Sequence, residues 1–240
     1  MIKLVCSNIE RSKHLDTIPP FVEYERPDVW CVQEVVERDI PMLARSFGSD
    51  PIEYAPMLRH RKEEGDPVTG VAVFSRLPVA AHDSAYYVGV REHLPDHDET
   101  PDRGNTMNCA LAWADIQQGN DVYRIGTTHF TWSEGGWPTD LQRRNVSLLL
   151  KTLKPMEEIV FCGDFNAPRG RETFATIAAN YKDNIPAEYT TSIDKDLHRA
   201  GDLQLMVDGL FSTPGYAISD VKLHSGVSDH LAITAMISKA

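Results

Sequence analysis

Polar residues that could bind a metal or move a proton stand directly at the ends of short apolar runs. The run from Ile159 to Cys162 stops at Gly163 and is followed at once by Asp164, Phe165 and Asn166. Turn formation explains part of this composition, because Asp, Asn, Gly and Pro all favour turns. The same change from apolar to polar recurs elsewhere, at Asn8, Glu34, His129, Asp208 and the pair Asp229-His230. The repetition indicates one shared site rather than several unrelated turns.

The residue types suit a divalent cation. Strand ends from two sheets can converge at one rim, and carboxylates gathered there repel one another unless a cation holds them together. Carboxylates from Glu34 and Asp229 and the amide oxygen of Asn8 are ligands that Mg²⁺, or alternatively Mn²⁺, prefers. Zinc fits less well, because no His or Cys pair stands at zinc-ligand spacing.

The remaining polar residues suit proton transfer and phosphate binding. His230, with Asp208 to orient its ring, would serve as an acid, a base or a phosphate-polarising group. Asp164 would orient or deprotonate a water molecule, and the Asn166 amide would donate to a phosphate oxygen as charge develops. This chemistry is metal-assisted in-line displacement at phosphorus.

Short strands are the elements that must carry these residues. About ten apolar runs and four or five helical segments alternate in mixed order, which favours an α+β sandwich of two packed sheets with flanking helices. A doubly wound α/β sheet is the weaker alternative, because too many strands follow one another without an intervening helix. The predicted strands cover about 2–7, 29–32, 52–58, 70–75, 85–90, 107–116, 122–128, 158–162, 203–211, 221–224 and 231–237, and the predicted helices about 16–24, 40–47, 139–153 and 171–179.

Length and composition fit one large globular domain over residues 1–240, with 42% hydrophobic residues. The formal net charge of -11 makes the chain repel polyanions as a whole, which argues against broad binding along duplex nucleic acid. The basic run Arg59-His60-Arg61-Lys62 and the pair Arg143-Arg144 are typical of solvated surfaces, with local phosphate contact as the alternative.

A cytoplasmic location is expected from the sequence. The N-terminus lacks the pattern of a signal peptide, and no apolar run approaches the roughly 20 residues that cross a bilayer. The cysteines Cys6, Cys31, Cys109 and Cys162 lie in apolar runs without C-x-x-C spacing, which indicates reduced core thiols.

A set of short motifs resembles the endonuclease/exonuclease/phosphatase superfamily. In chain order they are N-I at Asn8, Q-E at Gln33-Glu34, G-x-A-x-F-S at Gly70 to Ser75, T-H at Thr128-His129, G-D-F-N at Gly163 to Asn166, D-G-L-F at Asp208 to Phe211 and S-D-H at Ser228 to His230. The order and spacing match from the first strand to the last. G-D-F-N followed by a terminal S-D-H is the most specific pairing.

The resemblance implies a four-layer α/β/β/α sandwich of two mixed β-sheets flanked by helices. It makes Glu34 the principal Mg²⁺ ligand, with Asn8 and Asp229 near the metal. By the same resemblance Asp164 aligns the nucleophile and His230, supported by Asp208, lies at the scissile phosphate. Asn166 and His129 would stabilise the phosphate. A histidine at position 129 is similar to deoxyribonuclease-like and 5′-tyrosyl-DNA phosphodiesterase-like members, whereas apurinic endonucleases carry tyrosine there.

The substrate-binding residues are less clearly marked. Many members of the superfamily have an arginine where this chain has Asn108, so Arg103 or a residue of the 59–62 loop would have to substitute, or the substrate carries less phosphate charge. Trp132 and Trp137 lie in the loop after His129, where stacking on substrate is plausible. Asn108, Arg103 and Trp132 are therefore the candidates for substrate binding. For Phe165 a core position is favoured.

The expected function is Mg²⁺-dependent hydrolysis of a phosphodiester, in nucleic acid or at a nucleic-acid end. The alternative within the same class is a small phosphorylated molecule such as an inositol phosphate or a lipid head group. A membrane partner is not expected, because no hydrophobic hairpin is evident. An alternative of another class is a binding module that keeps the fold without catalysis. Oligomeric state is left open.

Overall fold

The architecture is seen in a computed structural model that describes residues 1–61, 63–65, 67–97 and 107–240. Within these ranges the chain forms twelve strands and four α-helices. The strands are β1 (Ile2–Asn8), β2 (Val29–Val36), β3 (Pro51–Arg59), β4 (Val68–Ser75), β5 (Val79–Val88), β6 (Cys109–Gln118), β7 (Asp121–His129), β8 (Val160–Asp164), β9 (Lys182–Asp183), β10 (Asp208–Ser212), β11 (Tyr216–His224) and β12 (Ala232–Lys239). The helices are α1 (Ile18–Glu25), α2 (Ile40–Phe47), α3 (Asp140–Leu153) and α4 (Glu172–Ala178).

Two mixed sheets of six strands each build the centre of the described structure. Their strand orders are β11-β12-β1-β2-β4-β3 and β5-β6-β7-β8-β10-β9. The pairs β1–β2 and β7–β8 are parallel, so in each pair both strands end at the same edge of the sheet. This arrangement places the carboxyl ends of four strands at one rim.

Helices cover the outer faces of both sheets. Ile18 of α1 and Phe47 of α2 pack with Trp30 on the outside of the first sheet. Leu149 of α3 and Phe174 of α4 belong to the larger cluster that contains the second sheet and the space between the sheets. The layers are thus helix, sheet, sheet and helix, which confirms the four-layer α/β/β/α sandwich predicted from the sequence. Such layers form because the apolar faces on both sides of each sheet must be covered.

A buried polar contact joins the two sheets beneath the rim. Gln33 of β2 donates through Nε2 to the Thr127 hydroxyl of β7 at 2.7 Å, and neither side chain is exposed to solvent. The four cysteines nearby and elsewhere in the core are buried free thiols, as the sequence predicted. No helix in the described ranges is long and apolar enough to span a membrane.

Several elements differ from the sequence prediction, two of them close to the site. The second strand does not stop at Gln33 but continues to Val36 through a register shift between Val32 and Val35. Residues 203–207 were predicted as strand but lie outside β10, which begins at Asp208. The buried face of α3 includes the polar residue Gln142, since the carbonyl groups of Thr131 and Asn166 accept hydrogen bonds from its amide nitrogen.

Candidate active site

Strand register brings the predicted polar residues together. His129 at the end of β7 lies opposite Asp164 at the end of β8, and Asp164 also lies opposite Asp208 at the start of β10. Asn8 ends β1 in the first sheet, and its Nδ2 donates to Asp164 Oδ2 at 3.1 Å across the rim. Residues 156 positions apart in the sequence are thus in direct contact.

A β-bulge aims Glu34 into this rim. Glu34 has φ 58, a left-handed conformation that is uncommon for a residue with a side chain. The pairing of β2 with β4 shifts between Val32 and Val35, so Glu34 is the extra residue that breaks the alternation of the strand. Its Oε1 accepts a hydrogen bond from Asn8 Nδ2 at 3.3 Å. The bulge explains how a residue inside a buried strand reaches the site.

Asp164 is the most connected acid of the site. It is 2% exposed, its Oδ1 accepts from the Asn166 main-chain nitrogen at 2.7 Å and its Oδ2 accepts from Asn8. Gly163 makes this approach feasible, because a Cβ atom there would lie 1.9 Å from the Thr128 carbonyl oxygen. The residue before Asp164 therefore has to be glycine for β8 to pass this close to β7.

Asn166 and His129 form a second polar pair beside Asp164. Asn166 Nδ2 lies 3.0 Å from His129 Nε2 and donates to the Phe130 carbonyl at 2.9 Å. His129 Nε2 is 3.5 Å from Asp164 Oδ2. Helix α3 holds the loop in place, since Gln142 Nε2 donates to the carbonyl groups of Thr131 and Asn166.

His230 and Asp208 form a buried pair with a 2.7 Å contact between Nδ1 and Oδ2. The other ring nitrogen, Nε2, lies 3.8 Å from Asp164 Oδ2 and faces the rim. Burial by itself lowers the pKa of His230, but the Asp208 carboxylate and then Asp164 raise it well above its ordinary value. The two carboxylates therefore favour the protonated form of the ring.

Ser192 positions this pair and was not found from the sequence. Its hydroxyl accepts hydrogen bonds from the main-chain nitrogens of Val207 and Asp208, both at 3.0 Å. Its carbonyl accepts from the Leu231 nitrogen at 2.8 Å, next to His230. Ser192 lies in an irregular loop with no distinctive spacing, so no local signal marked it.

Carboxylates crowd around Asp229 on the other side of the rim. Glu10, His14 and Asp229 each offer a ligand atom within 4.8 Å of the others, and a second group of this kind among the described residues is Asp164, Asp208 and His230. Burial raises the pKa of Asp229 to about 6, and the charges of Glu10 and Glu34 add to the shift. A cation would relieve this repulsion, so the donor set fits a divalent metal.

Glu10 and His14 were missed by the sequence analysis. Their spacing of four residues and the position of Glu10 two residues after Asn8 are the signals that could have found them. The Glu10 nitrogen donates to Asn8 Oδ1 at 3.1 Å, so the Asn8 amide nitrogen is the group that faces Glu34 and Asp164. The assignment of Asn8, Glu34 and Asp229 as metal ligands stays a prediction.

The substrate-binding candidates lie in three different settings. Asn108 is 5% exposed and donates to the carbonyls of Val90 and His93 at 2.8 and 2.9 Å. Trp132 is 43% exposed in the loop after His129, and Arg103 lies outside the described residues. Phe165 is fully buried, as expected for a core residue. Contact of Asn108, Arg103 or Trp132 with substrate stays a prediction.

Comparison with known families identifies a match over most of the chain. The sequence profile described as the Endonuclease/Exonuclease/phosphatase family matches residues 6–230. Comparison with curated protein sequences gave no match.

Solved structures with the same fold are similar over their whole length at low sequence identity. An endonuclease/exonuclease/phosphatase from Bacteroides vulgatus has a TM-score of 0.72 at 15% identity, covering 100% of this chain and 99% of that one. The human nocturnin catalytic domain with a bound sulfate anion has a TM-score of 0.74 at 17% identity, covering 100% of this chain and 93% of that one. A mannosyl-6-phosphatase from Bacteroides thetaiotaomicron has a TM-score of 0.70 at 11% identity, covering 99% of this chain and 100% of that one.

Proposed function

The chain belongs to the endonuclease/exonuclease/phosphatase family, and on that premise we propose that it is a metal-dependent phosphodiesterase. The expected substrate is a phosphodiester in nucleic acid or at a nucleic-acid end, and the expected ion is Mg²⁺, with Mn²⁺ as an alternative. The observation that carries the proposal is the contact of Asn8 with both Glu34 and Asp164, which connects the acidic side of the rim to the side that contains His230.

Glu34 and Asp229, together with the newly found Glu10, would hold the metal, and Asn8 would keep the Glu34 carboxylate in place. A divalent cation bound there supplies positive charge to the phosphoryl oxygens. The charges of Glu10 and Glu34, which add to the raised pKa of Asp229, support such a role.

The chain's own residues would bind and polarise the phosphate. His230 Nε2 would donate to a phosphate oxygen, because Asp208 holds Nδ1 and fixes the orientation of the ring. Asp164 would orient the attacking water, since hydrogen bonds from the Asn166 nitrogen to Oδ1 and from Asn8 to Oδ2 hold its carboxylate in place. Asn166 and His129 would stabilise the oxygens that gain charge in the transition state, and their 3.0 Å contact holds the two side chains together beside Asp164.

A small phosphorylated molecule is the second candidate substrate. The net charge of -11 and the absence of arginine at position 108 both favour a substrate with less phosphate charge. The similar structure named as a mannosyl-6-phosphatase supports this alternative at the level of the fold. An inactive binding module is the least favoured possibility, because every matched polar position is occupied and in contact with a neighbour.

We also propose that residues 1–240 form a single domain, since the profile match extends from residue 6 to residue 230. The four reduced cysteines support the cytoplasm as the location.

A substrate panel at fixed Mg²⁺ tests the function. The panel contains single- and double-stranded DNA, RNA, 5′-tyrosyl DNA, an abasic duplex, inositol phosphates and sphingomyelin, each with and without EDTA. We expect cleavage of a nucleic-acid substrate that EDTA abolishes and that Asp164→Ala lowers by at least about a hundredfold. Asp115→Ala is the matched control, because Asp115 pairs with Arg124 on β6 and β7 away from the rim. Hydrolysis of no panel member, or full activity of Asp164→Ala, would exclude the proposed enzyme.

A further inference from the structure

Two nitrogen-bearing side chains face one carboxylate beside the candidate metal residues, and a third packs against one of them. Arg11 Nη1 donates to Glu63 Oε1, and His60 Nδ1 lies 3.6 Å from the same oxygen. The His97 ring lies against His60 with 4.9 Å between ring centroids. We call Arg11, His60, Glu63 and His97 the His60 cluster. A cationic guanidinium that donates to a carboxylate, with imidazole rings beside it, is an arrangement that also suits a phosphate.

The cluster lies on the Glu34 side of the rim. Arg11 directly follows Glu10 and is held, like it, in a left-handed conformation with φ 62. His60 Nε2 is 3.2 Å from the Thr69 hydroxyl, and Thr69 pairs with Val36, two residues beyond Glu34. A group bound at the cluster is therefore next to one bound at Glu34.

One ring nitrogen of His60 is buried without a hydrogen-bond partner among the described residues. His60 is 7% exposed, and among the described residues its Nδ1 has no hydrogen-bond partner, since Glu63 lies beyond hydrogen-bond distance. The Thr69 hydroxyl lies 3.2 Å from Nε2, and when it donates there the neutral ring carries its proton on Nδ1, toward Glu63. Burial and then the charge of Arg11 lower the pKa of His60, while Glu63 and Glu34 oppose the shift. A buried N–H without an acceptor is unfavourable, so an anion that accepts from Nδ1 is stabilised.

Asn108 holds the segment that carries His97. Its amide nitrogen donates to the carbonyls of Val90 and His93, and the His97 nitrogen donates to the Arg59 carbonyl at 2.6 Å. Gly89 is required for this contact, because a Cβ there would lie 1.8 Å from Asn108 Oδ1. Asn108 thus acts as a positioning residue for the cluster.

We propose that Arg11, His60 and His97 bind a non-scissile phosphate, the one adjacent to the scissile phosphodiester in a nucleic-acid strand, and that the Glu63 carboxylate occupies this position when substrate is absent. The proposal rests on the proposed function and names the substrate feature that the site selects. Glu63 belongs to a short exposed loop, so a phosphate can displace its carboxylate without changing the sheets.

Kinetics on two thymidine esters test the subsite. One is the p-nitrophenyl ester of thymidine 5′-phosphate, and the other is the same ester with an additional 3′-phosphate. The two substrates differ only in this non-scissile phosphate. The preference is the ratio of kcat/KM for the second ester to that for the first. We expect His60→Gln and Arg11→Gln to lower the preference about tenfold or more, because each removes one hydrogen bond to a charged group.

Two further variants separate binding from folding. Glu63→Gln removes the competing carboxylate, and we expect it to raise the preference at least about threefold, a gain that misfolding does not produce. Arg61→Gln is the matched control, because it removes one charge from the same loop but its Nε donates to Asp96 rather than to Glu63. A preference that His60→Gln leaves unchanged, or that Arg61→Gln lowers equally, would overturn the proposal.

Binding in EDTA distinguishes failure of the subsite from failure of the function. The imidazole proton signals of His60, assigned by comparison with His60→Gln, are followed by NMR while thymidine 3′,5′-bisphosphate is added to metal-free protein. Saturable movement of these signals, weakened in Arg11→Gln, supports the subsite even if neither ester is hydrolysed. Signals that do not move overturn it even if both esters are hydrolysed.

Discussion

The contact between His230 and Asp208 allows a quantitative prediction for Asp208→Asn. The 2.7 Å bond joins side chains that are 8% and 2% exposed, so water cannot replace the carboxylate. Asparagine has nearly the same shape but carries no charge, and it removes the main cause that raises the pKa of His230. A hydrogen bond to a charged group contributes about 1.5–3 kcal/mol. The expected loss in kcat/KM is therefore about tenfold to about 150-fold.

The assay is hydrolysis of bis(p-nitrophenyl) phosphate at saturating Mg²⁺, with the midpoint of thermal unfolding measured on the same samples. Asp115→Asn is the control, because Asp115 also forms a 2.8 Å ion pair, with Arg124, at a distance from the rim. His230→Ala should lose at least as much activity as Asp208→Asn. The double variant should lose less than the product of the two single losses, because both changes disable one unit.

A decrease of less than about threefold in a folded Asp208→Asn protein would contradict this reasoning. It would mean that His230 holds its orientation and charge without the carboxylate. A decrease equal to that of Asp115→Asn would likewise assign the effect to general destabilisation.

Three stability predictions follow from other contacts. Gly163→Ala places a Cβ 1.9 Å from a main-chain oxygen and should lower the free energy of unfolding by about 3 kcal/mol, whereas Gly170→Ala, with φ 88 and open space, should lower it by about 1–2 kcal/mol. Urea denaturation that gives equal losses would contradict this. In EDTA the folded-state pKa of Asp229 is about 6, above its unfolded value. The protonated carboxyl therefore stabilises the fold below the unfolded pKa, and this stabilisation is lost as pH rises through about 6. Asp229→Asn should therefore stabilise metal-free protein at pH 7.5 by about 2–3 kcal/mol, and denaturation curves without a gain would refute the assignment. Gln33→Leu leaves the buried Thr127 hydroxyl without its partner and should cost about 1–3 kcal/mol, most of which an added Thr127→Val should recover if the contact is the cause.

Local pattern was sufficient where side-chain alternation and turn chemistry decide the structure. Helix α2 was predicted at its observed bounds, because Pro41 stands in its first turn and Gly48, in a left-handed conformation, ends it. The change from Cys162 to Asp164 placed the end of β8 within two residues, since the strand was predicted to end at Cys162 and ends at Asp164. These features depend on residues close together in the chain.

Local pattern failed where a distant partner decides. The bulge at Glu34 depends on the pairing of β2 with β4, so the run of apolar residues before it suggested that the strand had ended. Gln142 is buried on α3, although it is polar, because the carbonyls of Thr131 and Asn166 accept its hydrogen bonds. Burial of a polar side chain becomes favourable only when such partners are in place.

The sequence by itself determined which polar residues could do chemistry and that strands would carry them, because strand ends and turns depend on the composition of short segments. Only the tertiary structure decided that Asn8 joins Glu34 to Asp164, that Glu10 and His14 approach Asp229, and that His60 meets Arg11 around Glu63. Each of these contacts spans separate strands or loops. Their geometry follows from sheet register and packing, which no short segment of the chain specifies.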